Sequence, residues 1–450
     1  MTVTKEPVGE QTFSIWRTLR LGTFQVGSAM GDVLLAGIWN RIVISDFGLP
    51  AWPVGLLIAM RYFMTPLSIW AGNRSDNRPL LGSYRTSYIW LGRGLMLIAF
   101  LVLGTATVEL EIANYVAGWA LAFASFLLYG MGTLLSGSVF LALVRDSAPP
   151  SKQGIAIGLV ETILIAMFPV VAIGFSRMLT SYDRAAFWQL LITVVAIAGF
   201  FWFFAIFRVE KRRPVANTIV DELPLRAIFD RIWADQRTRG FFKFLFVATF
   251  AAWMQDNILE PFGADVFGLE VEQTTRLTSY WGTATILVLV ICFAIWRQRR
   301  PERQAGVARI GLLIMASGLV LVCLSALMAQ THVFYAGLVI FGTGFGFYTF
   351  GGLSLMAVMS PDPNAGAYLG LWSICILVSK GMGTFAGGLM RDLGLAFGLT
   401  NGVTYALIFF IASIGLAAAV LILRSEEILG FARETGRLDQ PIDLPIGAMD

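Results

Sequence analysis

Charged side chains interrupt otherwise apolar runs of this chain, among them Asp32, Arg61, Glu161, Asp256, Glu260 and Lys380. Charge at membrane depth is strongly disfavoured, so such groups face the protein interior or a water-filled cavity. Two chemistries are open to the acids. They can orient a polar ligand, pair with Arg41 or change protonation as the protein switches. Alternatively, they bond backbone groups freed near Gly31 and Pro261. Arg61 and Lys380 can hold an acidic partner or lipid with Glu161 as counter-charge, or an Arg61–Glu161 pair can lock one state. Catalysis by a nucleophile and base has little to work with around the single histidine, His332, so no enzyme is expected. Cys292, Cys323 and Cys375 lie in apolar runs without CxxC spacing, which predicts neither a disulfide framework nor a zinc site. The strings GTGFGFYTFGG (342–352) and GMGTFAGG (381–388) lack the strand and GK[ST] of a phosphate loop and predict close helix packing instead.

The elements that must position these groups are transmembrane helices. The chain has 450 residues, 57% hydrophobic and only 14% charged, with a mean hydropathy of +0.72. That composition excludes soluble enzymes, disordered scaffolds and nucleic-acid binders, despite a basic balance of +4. At about 20 apolar residues per crossing, twelve spans are predicted: 21–45, 52–71, 88–108, 114–144, 154–178, 185–207, 241–263, 277–296, 307–329, 333–358, 367–390 and 401–423. With both termini on one side, loops on that side hold 25 Lys and Arg, against Arg177, Arg184, Arg276 and Arg391 on the other. By the positive-inside rule the basic side is cytoplasmic.

The two halves resemble one another. Gly130 and Gly132 match Gly342 and Gly344 at an offset of 212, which also pairs Pro149 with Pro361, Gly154 with Gly366 and Gly158 with Gly370. Asp32 pairs with Asp256 at 224. The expected organisation is an N-terminal six-helix bundle (1–207), a basic linker (208–240), a C-terminal six-helix bundle (241–424) and a tail (425–450). Internal repeats of this kind are the plan of the major facilitator superfamily, so an all-α polytopic fold with two six-helix halves is predicted. The loop GNRSDNRPLLGSYR (72–85) resembles that superfamily's loop 2–3 signature. Its Gly72, Arg74, Asp76, Arg78 and Arg85 form a candidate conformational latch, with Asp76 capping a helix N-terminus and the arginines pairing with acids across the halves. A solvated basic loop is the plainer reading.

Two longer runs carry a closer resemblance. WNRIVISDFGLPAW (39–52) with GNRSDNRPLLGSYRTSYIW (72–90), and QDNILEPFGADVFGLEVEQTTRLTSYWG (255–282), are similar to the PucC/LhaA group, also called the bacteriochlorophyll delivery family. The matching positions include Asn40, Arg41, Gly48, Pro50, Ala51, Trp52, Arg74, Ser75, Asp76, Tyr88, Ile89 and Trp90, and the likeness covers roughly residues 16–425. It adds Asn40 and Gln255 to the candidate cavity-lining polar groups. Asp46 stands where the family commonly has Glu, and SYRTS (83–87) where Trp-Arg-Arg is usual, so the sequence does not assign the antenna served.

The resemblance implies a factor for light-harvesting complex assembly in a photosynthetic bacterial inner membrane. Its expected cargo is (bacterio)chlorophyll, and its expected partners are antenna polypeptides or pigment-synthesis enzymes, with membrane lipid around it. A secondary transporter of a small solute and a non-transporting scaffold for antenna helices are the alternatives. His332, between spans 9 and 10, is expected to be a solvated loop residue. Asn, Gln, Glu or water oxygen can hold magnesium in its place.

Overall fold

The protein is seen in a computed structural model that describes residues 13–77, 80, 82–149, 152–210, 233–296, 301–360, 365–423, 426–427 and 430. Helices account for nearly all of them, and ten segments are long and apolar enough to cross a bilayer unbroken. The other two expected crossings, spans 2 and 7, are each made of two pieces. Span 2 runs as Ala51–Phe63 and Pro66–Asn77. Pro66 has no N–H and forces its predecessor out of helical geometry, which places the break at Met64 and Thr65. Span 7 runs as Gln236–Trp253 and Leu259–Phe267, parted by a turn at residues 254–258. Pro261 is not the cause. It sits in the first turn of the second piece, where its missing donor leaves nothing unsatisfied.

Several helices outrun their apolar windows. Span 1 begins at Ile15, span 7 at Gln236 inside the expected linker, and span 9 at Pro301. A hydropathy window ends where charge begins, whereas a helix can continue into water. Residues 211–232 of the expected linker and 431–450 of the expected tail lie outside the described residues. Span 1 is continuous to Asp46 but widens into π-helical turns at Leu34–Trp39 and Ile42–Asp46. Asn40 and Arg41 fall between them, and such wide turns frequently mark functional positions.

Two large apolar cores form, one in each half. In the first, Phe24 stacks on Phe140 with ring centroids 3.8 Å apart, and buried Trp39 donates to Thr107 Oγ1 at 3.0 Å. In the second, Phe262 meets Phe334, Tyr405 and Phe409 at 4.9, 5.2 and 4.9 Å. Among the described residues no strand forms, apart from one isolated bridge between Leu80 and Ser83.

The glycine positions show how the halves repeat. Gly92 of span 3 abuts the Gly132 carbonyl of span 4, and Gly311 of span 9 abuts the Gly344 carbonyl of span 10. Gly130 lies against the Arg61 backbone, and Gly342 against that of Trp281. Spans 1 and 7 both end at a glycine with φ +65°, Gly48 and Gly268, a left-handed conformation that glycine adopts without strain. These two glycines are 220 positions apart, as are Arg61 and Trp281. At that offset Asp32 falls opposite Ala252 in the sequence and Asp256 four positions beyond it, so these landmarks do not share the offset of 224 that pairs the two acids.

The halves meet where span 11 packs along the first piece of span 2, and where span 8 packs on span 5. A side chain on Gly388 would meet the Ala51 carbonyl oxygen at 2.7 Å, and one on Gly55 the Thr384 carbonyl at 3.1 Å. Glycine strings thus serve packing, as their setting in apolar helices predicts.

Candidate functional site

At the middle of the bundle Arg61 forms an ion pair with Asp32. Arg61 also donates to the Tyr62 hydroxyl at 2.7 Å, and the Tyr129 hydroxyl donates to Asp32 Oδ1 at 3.1 Å. Two glycines make this possible. Gly130 lets span 4 approach the Arg61 backbone, and Gly31 leaves the space that Tyr129 fills, since a Cβ there would lie 2.7 Å from the Tyr129 oxygen. The guanidinium lies 4.8 and 5.9 Å from the ring centroids of Tyr62 and Tyr129. The side chains of Asp32 and Arg61 remain 30% and 17% exposed, so the pair borders open space and not sealed core.

The C-terminal half faces this pair with Asp256, Lys380 and Trp253. The Lys380 ammonium lies 3.5 Å from the Trp253 ring centroid and 5.0 Å from that of Tyr62. Asp256, in the turn that breaks span 7, accepts from the Thr384 hydroxyl at 3.2 Å and is within electrostatic reach of Lys380 and Arg61. Four charges of opposing sign, two per half, therefore converge at membrane depth among aromatic rings.

Toward the charge-poor end the halves are stitched together. Asn40 Nδ2 donates to the Asn257 carbonyl at 3.1 Å and to Glu260 Oε2 at 3.4 Å, while Thr278 donates to Glu260 Oε1 at 3.2 Å. Asn257 in turn donates to the Ala51 carbonyl at 3.1 Å. Arg41 pairs with Asp46 and reaches the Leu269 carbonyl at 3.2 Å. Asp392 of span 11 caps the N-terminus of span 2, accepting from the N–H groups of Ala51 and Trp52 at 3.0 and 2.7 Å. Arg391 braces it at 3.2 Å and pairs with Asp265 at 2.8 Å, and Tyr405 donates to Asp265 at 2.7 Å. Arg276 adds a bond to Ser176 at 3.0 Å.

Several expectations change. Arg61 pairs with Asp32 and not with Glu161, which accepts from Gln25 Nε2 at 3.2 Å. Arg41 serves the charge-poor gate and does not reach Asp32. Arg391, expected in a loop, is 7% exposed within span 11. His332 lies exposed in the first turn of span 10, not in a loop. Gln255 is buried in the turn of span 7, its carbonyl accepting from the Ile258 N–H. Sequence reasoning missed Tyr62, Tyr129, Trp253 and Thr384 in the centre, and Asn257, Asp265 and Asp392 at the gate. Only Asp265 and Asp392, acids flanking apolar helices near an arginine-poor end, left a readable signal.

At the basic end Glu210 caps the start of span 3, accepting from the N–H groups of Tyr84, Arg85 and Thr86 at 2.7, 3.1 and 2.8 Å. Arg85 pairs with Asp146 of span 4 at 2.9 Å, within its own half. Arg74 lies exposed, 5.7 Å from the Trp70 centroid, and Gly72 is in span 2. The Asp76 side chain and Arg78 lie outside the described residues.

Two measurements follow from this geometry. Asp392→Ala removes two bonds to a charged acceptor, about 1.5–3 kcal/mol each, so the open population should rise tenfold or more. Spin labels at Ile112→Cys and Phe397→Cys, at exposed positions on the charge-poor ends of the two halves, should show a longer-distance population; an unchanged distance distribution would contradict the latch. The second concerns pH. Burial raises the Glu210 carboxyl, but bonds from Thr86, Arg85 and Tyr84 outweigh it and hold the group below its ordinary 4.5. Its contribution to stability is therefore complete above pH 4.5 and lost as pH falls through the lower folded value. Glu210→Gln should melt below wild type at pH 7, with the gap closing in acid; a gap independent of pH would contradict the assignment.

Comparison with known proteins is consistent with this architecture. The family described as PUCC protein matches residues 38–427. An uncharacterized protein of the puhA-bchM intergenic region of Rhodobacter capsulatus is 28% identical over 396 residues, covering 85% of this chain and 81% of its own. Protein PucC of Rhodovulum sulfidophilum is 29% identical over 390 residues, 84% of this chain and 85% of that one. A protein of Rhodobacter capsulatus named bacteriochlorophyll synthase 44.5 kDa chain is 26% identical over 431 residues, 89% and 95% of the two chains. Among solved structures, a mutant of the nucleoside transporter NupG superposes with a TM-score of 0.68 at 13% identity, over 90% of this chain and 99% of that one. A D-xylose-proton symporter gives 0.65 at 14%, over 92% and 99%. These last likenesses establish the fold, that of the major facilitator superfamily. With that fold, and with a family match spanning nearly all of both halves, the chain belongs to the PUCC protein family.

Proposed function

We propose that this multi-pass membrane protein serves the assembly of light-harvesting complexes, by holding (bacterio)chlorophyll between its halves and releasing it to antenna polypeptides. The observation that carries this reading is the family match over residues 38–427. The geometry supports it. A cluster of charged and aromatic side chains at membrane depth, contributed by both halves, suits a ligand that is apolar over most of its surface and polar at its rim. Bonding at the charge-poor end ties the halves together there, and a route from the basic end to Asp32, whose side chain is 30% exposed, completes the proposal. Following the excess of Lys and Arg, that end and both termini are cytoplasmic, in the photosynthetic inner membrane. Pigment from synthesis enzymes would enter there. Asn40, Gln255 and Glu260 are buried at the charge-poor end, so a water oxygen would hold the pigment magnesium, a hard ion, in this space.

The role is binding and transfer, not catalysis. Both the carrier fold and the family favour this over the chemistry implied by one relative's name. A solute carrier is the second reading, favoured by the inter-half latch around Asp392, which has the form of a gate.

An absorbance spectrum of the protein purified in mild detergent from a pigment-producing host separates the two. Pigment delivery predicts a red or near-infrared chlorin band in fixed ratio to protein through size exclusion. A colourless, monodisperse protein that drives gradient-dependent solute uptake in proteoliposomes would overturn it.

A further inference from the structure

We infer that an aromatic groove between spans 3 and 6, at the basic end of the N-terminal half, is a site for an anionic phospholipid. An acyl chain lies against the rings and the headgroup meets Arg208 and Arg20; none of this depends on the pigment reading above. The groove has a volume of about 460 Å³ and is lined by Trp90, Gly199, Phe200, Phe203, Phe204 and Phe207. Ligand sites span about 300–1,000 Å³. Trp90 stands one turn into span 3, which starts at the basic end, and Phe203 to Phe207 close span 6, which ends there. Where the two helices touch, a Cβ on Gly199 would meet Leu97 Cδ1 at 3.2 Å, and the Trp90 and Phe203 ring centroids are 5.8 Å apart. Phe200 and Phe204 stack with 7° between their planes and 5.4 Å between centroids, and both are exposed, as is Phe207. The groove therefore opens on the lipid-facing side, and every side chain that lines it is apolar or aromatic.

Charge gathers at one end of it. Arg20 of span 1 donates from Nε and one terminal nitrogen to the carbonyls of Phe204 and Phe207, with its guanidinium 5.1 Å from the Phe204 ring centroid. Among the described residues its other terminal nitrogen makes no hydrogen bond. Arg208 is exposed, lies 5.2 Å from the Phe207 ring centroid, and has no carboxylate within 4.0 Å among the described residues. Its backbone sits at φ +56°, a left-handed conformation uncommon for a residue with a side chain. Beyond that turn Glu210, the nearest acid in sequence, is already held by three N–H groups at the start of span 3. Two guanidiniums with donors to spare at the end of an apolar groove match a lipid's phosphate and its chain. A zwitterionic headgroup brings a cation along with its phosphate and matches them less well.

The test titrates purified full-length protein in detergent with phosphatidylglycerol and with phosphatidylcholine, both carrying brominated acyl chains, which quench tryptophan on contact. Trp90→Phe isolates the part of the quenching that comes from the groove. Wild type should respond to the anionic lipid at about tenfold lower concentration than to the zwitterionic one, as two basic residues at an anionic headgroup predict. Arg208→Gln should remove most of that preference, and Arg208→Lys should keep it. Arg145→Gln, at an exposed arginine on the basic end of span 4, should leave it unchanged. Equal quenching by the two lipids in wild type, which needs no variant to fold, would overturn the inference and leave the groove to zwitterionic lipid or pigment. A preference that survives in Arg208→Gln, or falls equally in Arg145→Gln, would overturn it in favour of diffuse surface charge. Quenching of Trp90 by neither lipid would also overturn it and point to a protein helix as the occupant.

Discussion

A cation and an anion held together at the middle of a bilayer constrain everything around them, and here they are Arg61 and Asp32. Neither is tolerable there alone, and removing one partner of such a pair costs about 3–5 kcal/mol. Satisfying the remaining donors and acceptors requires Tyr62 and Tyr129, and Tyr129 reaches the pair only because Gly31 and Gly130 lack side chains. The approach of span 4 to spans 1 and 2 is thereby fixed by polar chemistry as much as by apolar packing. The same constraint acts on the other half, where Lys380 rests on Trp253 and Asp256 on Thr384. The two arrangements are not copies. One half closes its charges on each other, and the other leaves its cation to aromatic faces.

From this centre the two ends of the molecule take different roles. The charge-poor end uses backbone groups that helix ends and breaks leave unpaired: Asn40 on the Asn257 carbonyl in the broken stretch of span 7, Asp392 on the first N–H groups of span 2. Such bonds are made and broken without unfolding a helix, so they suit a reversible seal. At the basic end the bonds described tie loops to their own half, Glu210 to the start of span 3 and Arg85 to span 4. Rigid halves with a separable seam are the mechanical requirement of alternating access.

Much of this was legible in the sequence, for identifiable reasons. Crossings are set by hydropathy, which acts locally, so twelve spans and the superfamily plan could be read directly. The break in span 2 is written in Pro66. That in span 7 is not, because Pro261 follows the break and does not make it; the turn is set where Gly387 and Gly383 of span 11 press on the carbonyls of Met254 and Phe250. Asp32, Arg61, Asp256 and Lys380 announced themselves as charges in apolar runs, but their partners did not. Pairing Arg61 with Glu161 requires knowing which helices adjoin, and Glu161 turns to Gln25 of span 1 instead. Glu210 was hidden for a simpler reason: a carboxylate near a helix end looks like a solvated loop until its distant N–H partners are seen.

The most direct test is a double-mutant cycle on the central pair, read as melting temperature in detergent. Asp32→Asn and Arg61→Gln, singly and together, should show strong coupling, with the double variant losing clearly less than the sum of the single losses, because each single change strands a charge that the double change removes. Additive losses would mean that the two side chains are independent, and the centre described here would not be what organises the fold.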